Sequence, residues 1–303
     1  LTVAEAGLLA FAGIALQALS AAIVVGASVL APGAVLVLTA LATCAVFWLR
    51  SVLAEDVSMS YANDLRGMLM EHAVASHSSR RRLGLLAVRL TGDVTPMREW
   101  VATGLTEAGS GFAYTLAGLA IVWLAAGSTG ALAGTAIVLA ALAVFSLLSP
   151  RLRAVMQQLR TERGRVSALA GDIVMSAATI ARYDAVERER VRFDARASAL
   201  RDAAVGRRRI AALLEVPGGL TIAAIAVLVA LLATPAQANW ASLFFAAGVL
   251  ATGLRSGGRA LDSYIAYSVA RARMDALAEQ IAAAASERGE KKRLDGVGRF
   301  RAR

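Results

Sequence analysis

Charged residues are absent from three long stretches of the chain, residues 6–49, 108–150 and 216–254. A helix crosses the hydrocarbon core of a membrane in roughly 20 residues, so each stretch is long enough for two spanning helices. Residues that break helices lie near each midpoint, at Ala31-Pro32-Gly33, at 127–130 and at 234–239. The pattern predicts six spans, at about residues 7–30, 34–53, 105–126, 131–149, 211–233 and 240–260.

The two long connections between these hairpins have the pattern of amphipathic helices. Apolar residues recur at spacings of three and four from Leu53 to Leu69 and again from Met156 to Ile173. Folded back as two antiparallel limbs, each connection would reach roughly 40 Å beyond the bilayer at 1.5 Å per residue. We expect two long helical cytoplasmic extensions whose tips contact a partner, with a solvated stalk as the alternative.

The distribution of basic residues predicts the orientation in the membrane. The chain of 303 residues is 57% hydrophobic and has a formal net charge of +10, with 7 Lys and Arg in residues 50–107, 14 in residues 151–215 and 11 from residue 255 onward. The turns inside the three uncharged stretches carry none of them. This bias predicts a multi-pass protein of the cell (inner) membrane with both termini in the cytoplasm. Anionic lipid accounts for the positive charge without nucleic acid, and the composition argues against a soluble enzyme.

Two segments carry a family resemblance. The first comprises Leu65-Arg66 and Gly84-Leu85-Leu86-Ala87-Val88-Arg89-Leu90-Thr91-Gly92-Asp93, and the second runs from Ser167 through Ile173 and Thr179 to Phe193. In order and spacing they resemble the transmembrane domain of ABC exporters of the six-helix, type I kind, over nearly the whole chain. The resemblance implies an all-α membrane protein in which residues 1–283 form the six-helix domain.

The same resemblance implies short coupling helices at the tips of the two extensions, at about residues 74–80 and 183–190. Each would dock on an ABC nucleotide-binding domain, and a second transmembrane domain would complete a homodimer or heterodimer. The first tip lacks the Pro and aromatic pair often found in the family. The residues assigned to this coupling are Val74, Ala75, Ser76, His77, Tyr183, Asp184, Ala185, Val186, Glu187 and Arg188.

The sequence contains no phosphate-binding loop of the form G-x-x-x-x-G-K-[ST]. The chain by itself therefore carries no ATPase motif, and the resemblance implies that ATP and Mg²⁺ bind to the partner nucleotide-binding domain. Residues 284–303 are interpreted as a linker or as the start of such a domain, because residues 293–303 alternate like an edge strand. The ATPase would belong to the same protein or to a separate subunit.

Three charged residues near the end of the sixth span share one helical face: Arg255, Arg259 and Asp262. Charged residues at membrane depth normally face a bundle interior or water, so these are candidates for the wall of a substrate cavity. The alternatives are that Arg255 extends to the interface or pairs with Asp262. Gln17, Tyr114 and Trp123 are further cavity candidates, with core packing as the alternative. No catalytic or metal-ligating set is seen in the sequence.

The function predicted from the sequence is the membrane (permease) domain of an ATP-driven exporter. Two alternatives use the same scaffold. An ion-driven carrier would depend on the acids Glu107, Glu215 and Asp262, because the uncharged stretches contain none. A noncatalytic membrane scaffold would keep the tips as docking surfaces and lack transport.

Overall fold

The computed structural model describes residues 1–26, 28–75, 94–232 and 240–300, and these residues form helices without any strand. This confirms the predicted all-α class. A π-helical turn, Trp100–Gly104, joins two of the helices. The α-helices are α1 (Thr2–Val25), α2 (Leu30–Ala75), α3 (Val94–Glu99), α4 (Leu105–Met175), α5 (Ala177–Arg182), α6 (Val186–Leu213), α7 (Val216–Leu232) and α8 (Trp240–Phe300).

Four helical runs within the described residues are long and apolar enough to cross a membrane: Thr2–Ile23, Leu30–Met68, Val94–Met175 and Val186–Val227. The third run is 82 residues long, far more than one crossing requires. It is interrupted at Gly127, where φ is 64° and ψ is −153°, a conformation that favours glycine. A Cβ placed on Gly134 would lie 2.9 Å from Leu119, 15 residues earlier, so the chain folds back at Gly127.

The first helix ends earlier than the sequence pattern predicts. Gly26 adopts the left-handed conformation, with φ of 73°, and its N–H donates to the carbonyl oxygens of Ala22 and Ile23. Helix α2 then begins at Leu30, so Pro32 lies in its first turn rather than between two helices. Proline is tolerated there because the N–H it lacks has no partner within the helix. The turn predicted at residues 31–33 therefore lies at Gly26, and the turn predicted at 234–239 is outside the described residues.

Helices α4 and α8 approach each other closely through glycines. A Cβ on Gly111 of α4 would lie 2.8 Å from the backbone nitrogen of Gly257, and one on Gly253 would lie 2.7 Å from the backbone nitrogen of Thr115. A Cβ on Gly118 would lie 2.9 Å from the Leu250 backbone. The Gly253 and Gly257 spacing thus lies at a helix crossing, as small residues do in membrane bundles.

Two apolar clusters continue this contact toward both ends of the bundle. One joins α4, α7 and α8 through Val122, Ile225 and Leu250. The other joins α4, α6 and α8 through Leu152, Ala203 and Ile265, with Leu214 also fully buried. Helix α8 therefore packs along α4 on both sides of the glycine crossing.

The C-terminal part of the chain differs from the prediction. Residues 293–300 belong to helix α8 and form no edge strand. The preceding segment is rich in Ala, Glu, Lys and Arg and contains no Pro, so it propagates helix. Alternation alone does not form a strand where no neighbouring strand is available to pair with it.

Candidate translocation pathway and cytoplasmic tip

The cavity candidates on α8 are held by ion pairs to different helices. Arg259 donates from Nη2 to the Glu107 carboxylate of α4 over 3.2 Å and to the hydroxyl of Ser256 over 3.2 Å. Asp262 accepts from Nη2 of Arg207 on α6. These two contacts link α8 to both α4 and α6 near the end of the apolar part of the bundle.

The Asp262–Arg207 pair is incompletely satisfied. Both side chains are half-buried, and the buried atoms Nε of Arg207 and Oδ1 of Asp262 have no hydrogen-bond partner among the described residues. A buried polar atom without a partner costs free energy, so this contact holds α6 against α8 less strongly than a fully bonded pair would. Arg207 also takes up the Asp262 carboxylate, which the sequence had suggested as an alternative partner of Arg255.

Arg255 is exposed and has no ion pair or hydrogen bond within the described part of the chain. Its aliphatic stem lies against Gly218 of α7, where an added Cβ would collide with the Arg255 Cγ. Its Nη2 atom lies 3.8 Å from the position that a Cβ on Gly219 would take. Of the two alternatives given for Arg255, pairing with Asp262 is therefore wrong, because Arg207 reaches that carboxylate instead.

Tyr114 belongs to a different, buried polar cluster. Its hydroxyl donates to Oε1 of Glu5, and Oε2 of the same carboxylate accepts from Nη1 of Arg50 over 2.7 Å. Arg50 also donates to the Ser110 hydroxyl and lies 5.1 Å from the centroid of the Phe47 ring. Glu5 is only 2% exposed and Tyr114 7%. We call these four residues, Glu5, Arg50, Ser110 and Tyr114, the buried polar cluster; it joins α1, α2 and α4.

Sequence reasoning did not identify this cluster, although one signal was present. Glu5 and Arg50 are the charged residues that directly flank the first uncharged stretch. In a helical hairpin the two ends of such a stretch come together, so an acid and a base there are placed to pair. The remaining cavity candidates, half-buried Gln17 and exposed Trp123, make no ion pair or hydrogen bond with the charged residues of α8 within the described ranges.

The tip predicted for the second extension is a tight turn between α5 and α6. Asp184 has a left-handed backbone, with φ of 49°, and its N–H donates to the carbonyl of Ala181. The N–H of Ala185 donates to the carbonyl of Ile180 over 3.0 Å. This pair of bonds is the Schellman arrangement that ends a helix, and Asp tolerates the left-handed position better than most residues do.

The short helix at this tip precedes the predicted one. Residues 177–182 form α5, Tyr183 to Ala185 form the turn, and Val186 begins α6. The helix predicted at 183–190 is therefore displaced, because the left-handed Asp184 ends one helix and the next starts two residues later. Of the coupling residues, Glu187 lies in the first turn of α6 with Arg190 at 3.9 Å, and Arg188 follows it.

Apolar side chains are exposed around this turn. Met175 is 88% exposed, Tyr183 75% and Val186 57%. We call these three residues the apolar tip. In the first extension, Val74 and Ala75 end helix α2, whereas Ser76, His77 and the rest of the predicted coupling helix are outside the described residues. The described residues contain no candidate metal site, because no group of three or more His, Cys, Asp or Glu among them is placed to hold a metal ion.

Residues 5–242 match the family model of the ABC transporter transmembrane region, and the chain belongs to this family. The fold is similar to that in the structure of a bacterial Atm1-family ABC exporter with ATP bound, with a TM-score of 0.74 and 17% sequence identity. The likeness covers 92% of this chain and 52% of that one, so the chain spans about half of the exporter's length. A comparison with curated proteins finds no match. Family and fold confirm the resemblance drawn from the sequence.

Proposed function

We propose that this chain is the membrane (permease) domain of an ATP-driven ABC exporter, which forms the translocation pathway and couples to a nucleotide-binding domain. That domain would be a further part of the same protein or a separate subunit. The observation that carries the coupling is the apolar tip, at the end of an arm made of α4 and α6.

The apolar tip has the properties of a docking surface. Its three side chains are exposed at the end of α4 (Met175), in the turn after α5 (Tyr183) and at the first residue of α6 (Val186). The backbone of that turn is fixed by hydrogen bonds, and Val186 is followed by the charged sequence Glu187-Arg188-Glu189-Arg190. An apolar anchor inside a polar rim is the usual composition of a protein interface. A rigid turn is also suited to passing on a rigid-body motion of its partner.

The energy for transport would come from outside this chain. Its sequence has no phosphate-binding loop, so ATP and Mg²⁺ would bind to the nucleotide-binding domain. A second transmembrane domain, identical or related, would close the pathway from the other side. Closure and opening of the ATPase domains would shift the population between inward-open and outward-open states in the inner membrane, with both termini cytoplasmic.

The pathway itself would run along the polar face of α8. Arg255 and Arg259 are the exposed charges at this depth, and hydrocarbon is a poor environment for them. Gln17 and Trp123 would line the pathway higher in the bundle. Tyr114 is bound within the buried polar cluster, so its contribution would be to hold the helices that form the wall.

The coupling is tested with the nucleotide-binding domain, found by reading the coding sequence beyond Arg303 and in the neighbouring genes for a phosphate-loop ATPase. Val186→Ala removes an exposed apolar anchor from the tip, whereas Val205→Ala makes the same change on α6 about 28 Å away along the helix. We expect the tip variant to weaken binding of that domain about tenfold and to lower transport-coupled ATP hydrolysis. The Val205→Ala variant should retain both.

Equal binding by the two variants would contradict docking at this tip. Flux in vesicles that does not respond to nucleotide would favour the ion-driven carrier, with Glu107, Glu215 and Asp262 as the acids to test. Binding without any flux would favour the noncatalytic scaffold.

A further inference from the structure

The exposed face of α8 changes character along the helix. It carries Phe244, which is apolar, and then Thr252, Arg255 and Arg259. At a similar number of residues from its own start, α2 exposes only apolar side chains, Phe47, Trp48 and Leu49. Arginine is expensive in hydrocarbon, so the α8 face adjoins a space that contains water or polar groups.

The charges near Arg255 are accounted for by other pairs. Arg259 is bonded to Glu107 and Asp262 to Arg207. Glu215, at the start of the neighbouring helix α7, has Arg208 at 3.9 Å. Arg255 thus has no carboxylate partner and no hydrogen-bond acceptor among the described residues.

The aliphatic stem of Arg255 lies against the backbone of α7. Gly218 of α7 leaves room for the aliphatic stem, because a Cβ there would collide with the Arg255 Cγ and lie 2.6 Å from the Ala251 carbonyl. The guanidinium then lies beside Gly219, which is exposed and has no side chain to cover it. The glycine pair therefore holds the stem and leaves the hydrogen-bonding end free.

We propose that Arg255, held in the Gly218–Gly219 notch, binds the phosphate or carboxylate group of an amphipathic anion, which is the substrate class of this pathway. Apolar side chains exposed on α7 just after Gly219, Leu220 and Ile222, supply a surface for the apolar body of such a molecule. A guanidinium forms two parallel hydrogen bonds with a planar or tetrahedral oxyanion, and the bonds are strongest where little water competes. This inference rests on the proposed pathway and deepens it.

Binding is measured by calorimetry on the purified full chain in dodecyl maltoside, with octyl phosphate as the probe. Arg255→Gln should weaken binding about tenfold or more, because a hydrogen-bonded charge is lost. Arg255→Lys keeps the charge and should retain part of the affinity. Arg273→Gln, which removes another exposed arginine from α8 beyond the membrane part, is the matched control and should bind like the unchanged chain.

Two further probes test the chemistry of the site. Octyl trimethylammonium should bind far more weakly than octyl phosphate, and inorganic phosphate should bind more weakly because it lacks an apolar body. Nanodiscs distinguish a lipid headgroup from a free amphiphile as the source of the anion. If the unchanged chain retains phosphatidylglycerol and Arg255→Gln loses it, the anion is a lipid headgroup. If both retain the lipid equally and the variant loses only octyl phosphate binding, the anion is a free amphiphile.

Equal affinity of the unchanged chain and a correctly folded Arg255→Gln variant for octyl phosphate would overturn the proposal, as would equal binding of the cationic probe. No nucleotide or ATPase domain enters these measurements. Failure here would therefore leave the coupling at the apolar tip intact, and failure of the tip experiment would leave the anion site intact.

Discussion

Helix α4 contacts α8 through glycines and the α1–α2 pair through the buried polar cluster. Between helices in lipid the hydrophobic effect supplies little attraction, because lipid tails are as apolar as leucine side chains. The two remaining means of association are close backbone packing and interhelical hydrogen bonds. Helix α4 uses both, glycine packing toward α8 and side-chain hydrogen bonds toward α1 and α2.

The two contacts differ in how they can change. Glycine packing at the α4–α8 crossing leaves no side chain to rotate, so the two helices are expected to move as one body. The buried polar cluster depends on one acid with two partners, and it is lost all at once when that acid is removed. A transporter that alternates between two states needs both a rigid unit and a contact that can be exchanged.

The largest expected effect comes from Glu5→Gln. The change leaves Arg50 without its counter-charge in a site where the glutamate is 2% exposed. Removing one partner of a buried ion pair typically costs about 3 kcal/mol. The free energy of unfolding, measured by SDS titration in mixed micelles, should fall by that order.

The double variant Glu5→Gln with Arg50→Gln is the control, and it should recover part of the loss because no uncompensated charge remains. If Glu5→Gln unfolded at the same SDS fraction as the unchanged chain, the cluster would contribute nothing to the α1–α2–α4 junction.

A smaller effect is expected at the glycine crossing, where two neighbouring positions differ sharply. Gly111→Ala places a Cβ 2.8 Å from the Gly257 backbone, so the helices must separate, at a cost of about 2 kcal/mol. Gly257→Ala meets only the Phe145 ring at 3.6 Å, an ordinary contact. In the same SDS titration the first variant should be destabilised and the second unchanged or slightly stabilised, because Ala favours helix over Gly.

Similar stability of the Gly111 and Gly257 variants would mean that the close approach of α4 and α8 is not what holds them together. The comparison between the two contacts of α4 would then be withdrawn, since glycine would no longer be a determinant of the contact with α8.

The helical class and the family could be predicted from the sequence, but the partners of the charged side chains could not. The length of the uncharged stretches is set by the thickness of a membrane, so they can be recognised from the sequence alone. Arg259 and Glu107 are 152 residues apart in the chain, and Arg207 and Asp262 are 55 apart. Which acid each arginine meets depends on helix rotation and crossing, and this is decided by contacts such as those of Gly111 and Gly218.

Helix ends were also poorly specified by sequence. The residues at 31–33 include a proline and a glycine and so resemble a turn, yet the chain turns at Gly26, and Pro32 fits the first turn of α2. Proline is compatible with both positions, whereas a left-handed backbone is strongly selective for glycine. Gly26 therefore indicates the position of the turn better than Pro32 does.

The smallest expected effect comes from Glu55→Gln, which makes the same Glu-to-Gln change in the exposed ion pair of Glu55 and Arg98. Glu55 accepts from Arg98 over 2.9 Å between α2 and α3, a distance close to the 2.7 Å between Glu5 and Arg50, but its side chain is 51% exposed rather than 3%. Water screens the attraction and solvates either partner alone, so Glu55→Gln should change the free energy of unfolding by about 0.5 kcal/mol or less. The effect should shrink further in high salt, whereas that of Glu5→Gln should not. Equal losses from the two variants would show that burial does not set the strength of these pairs, and the contrast between the buried polar cluster and the glycine contact would need another cause.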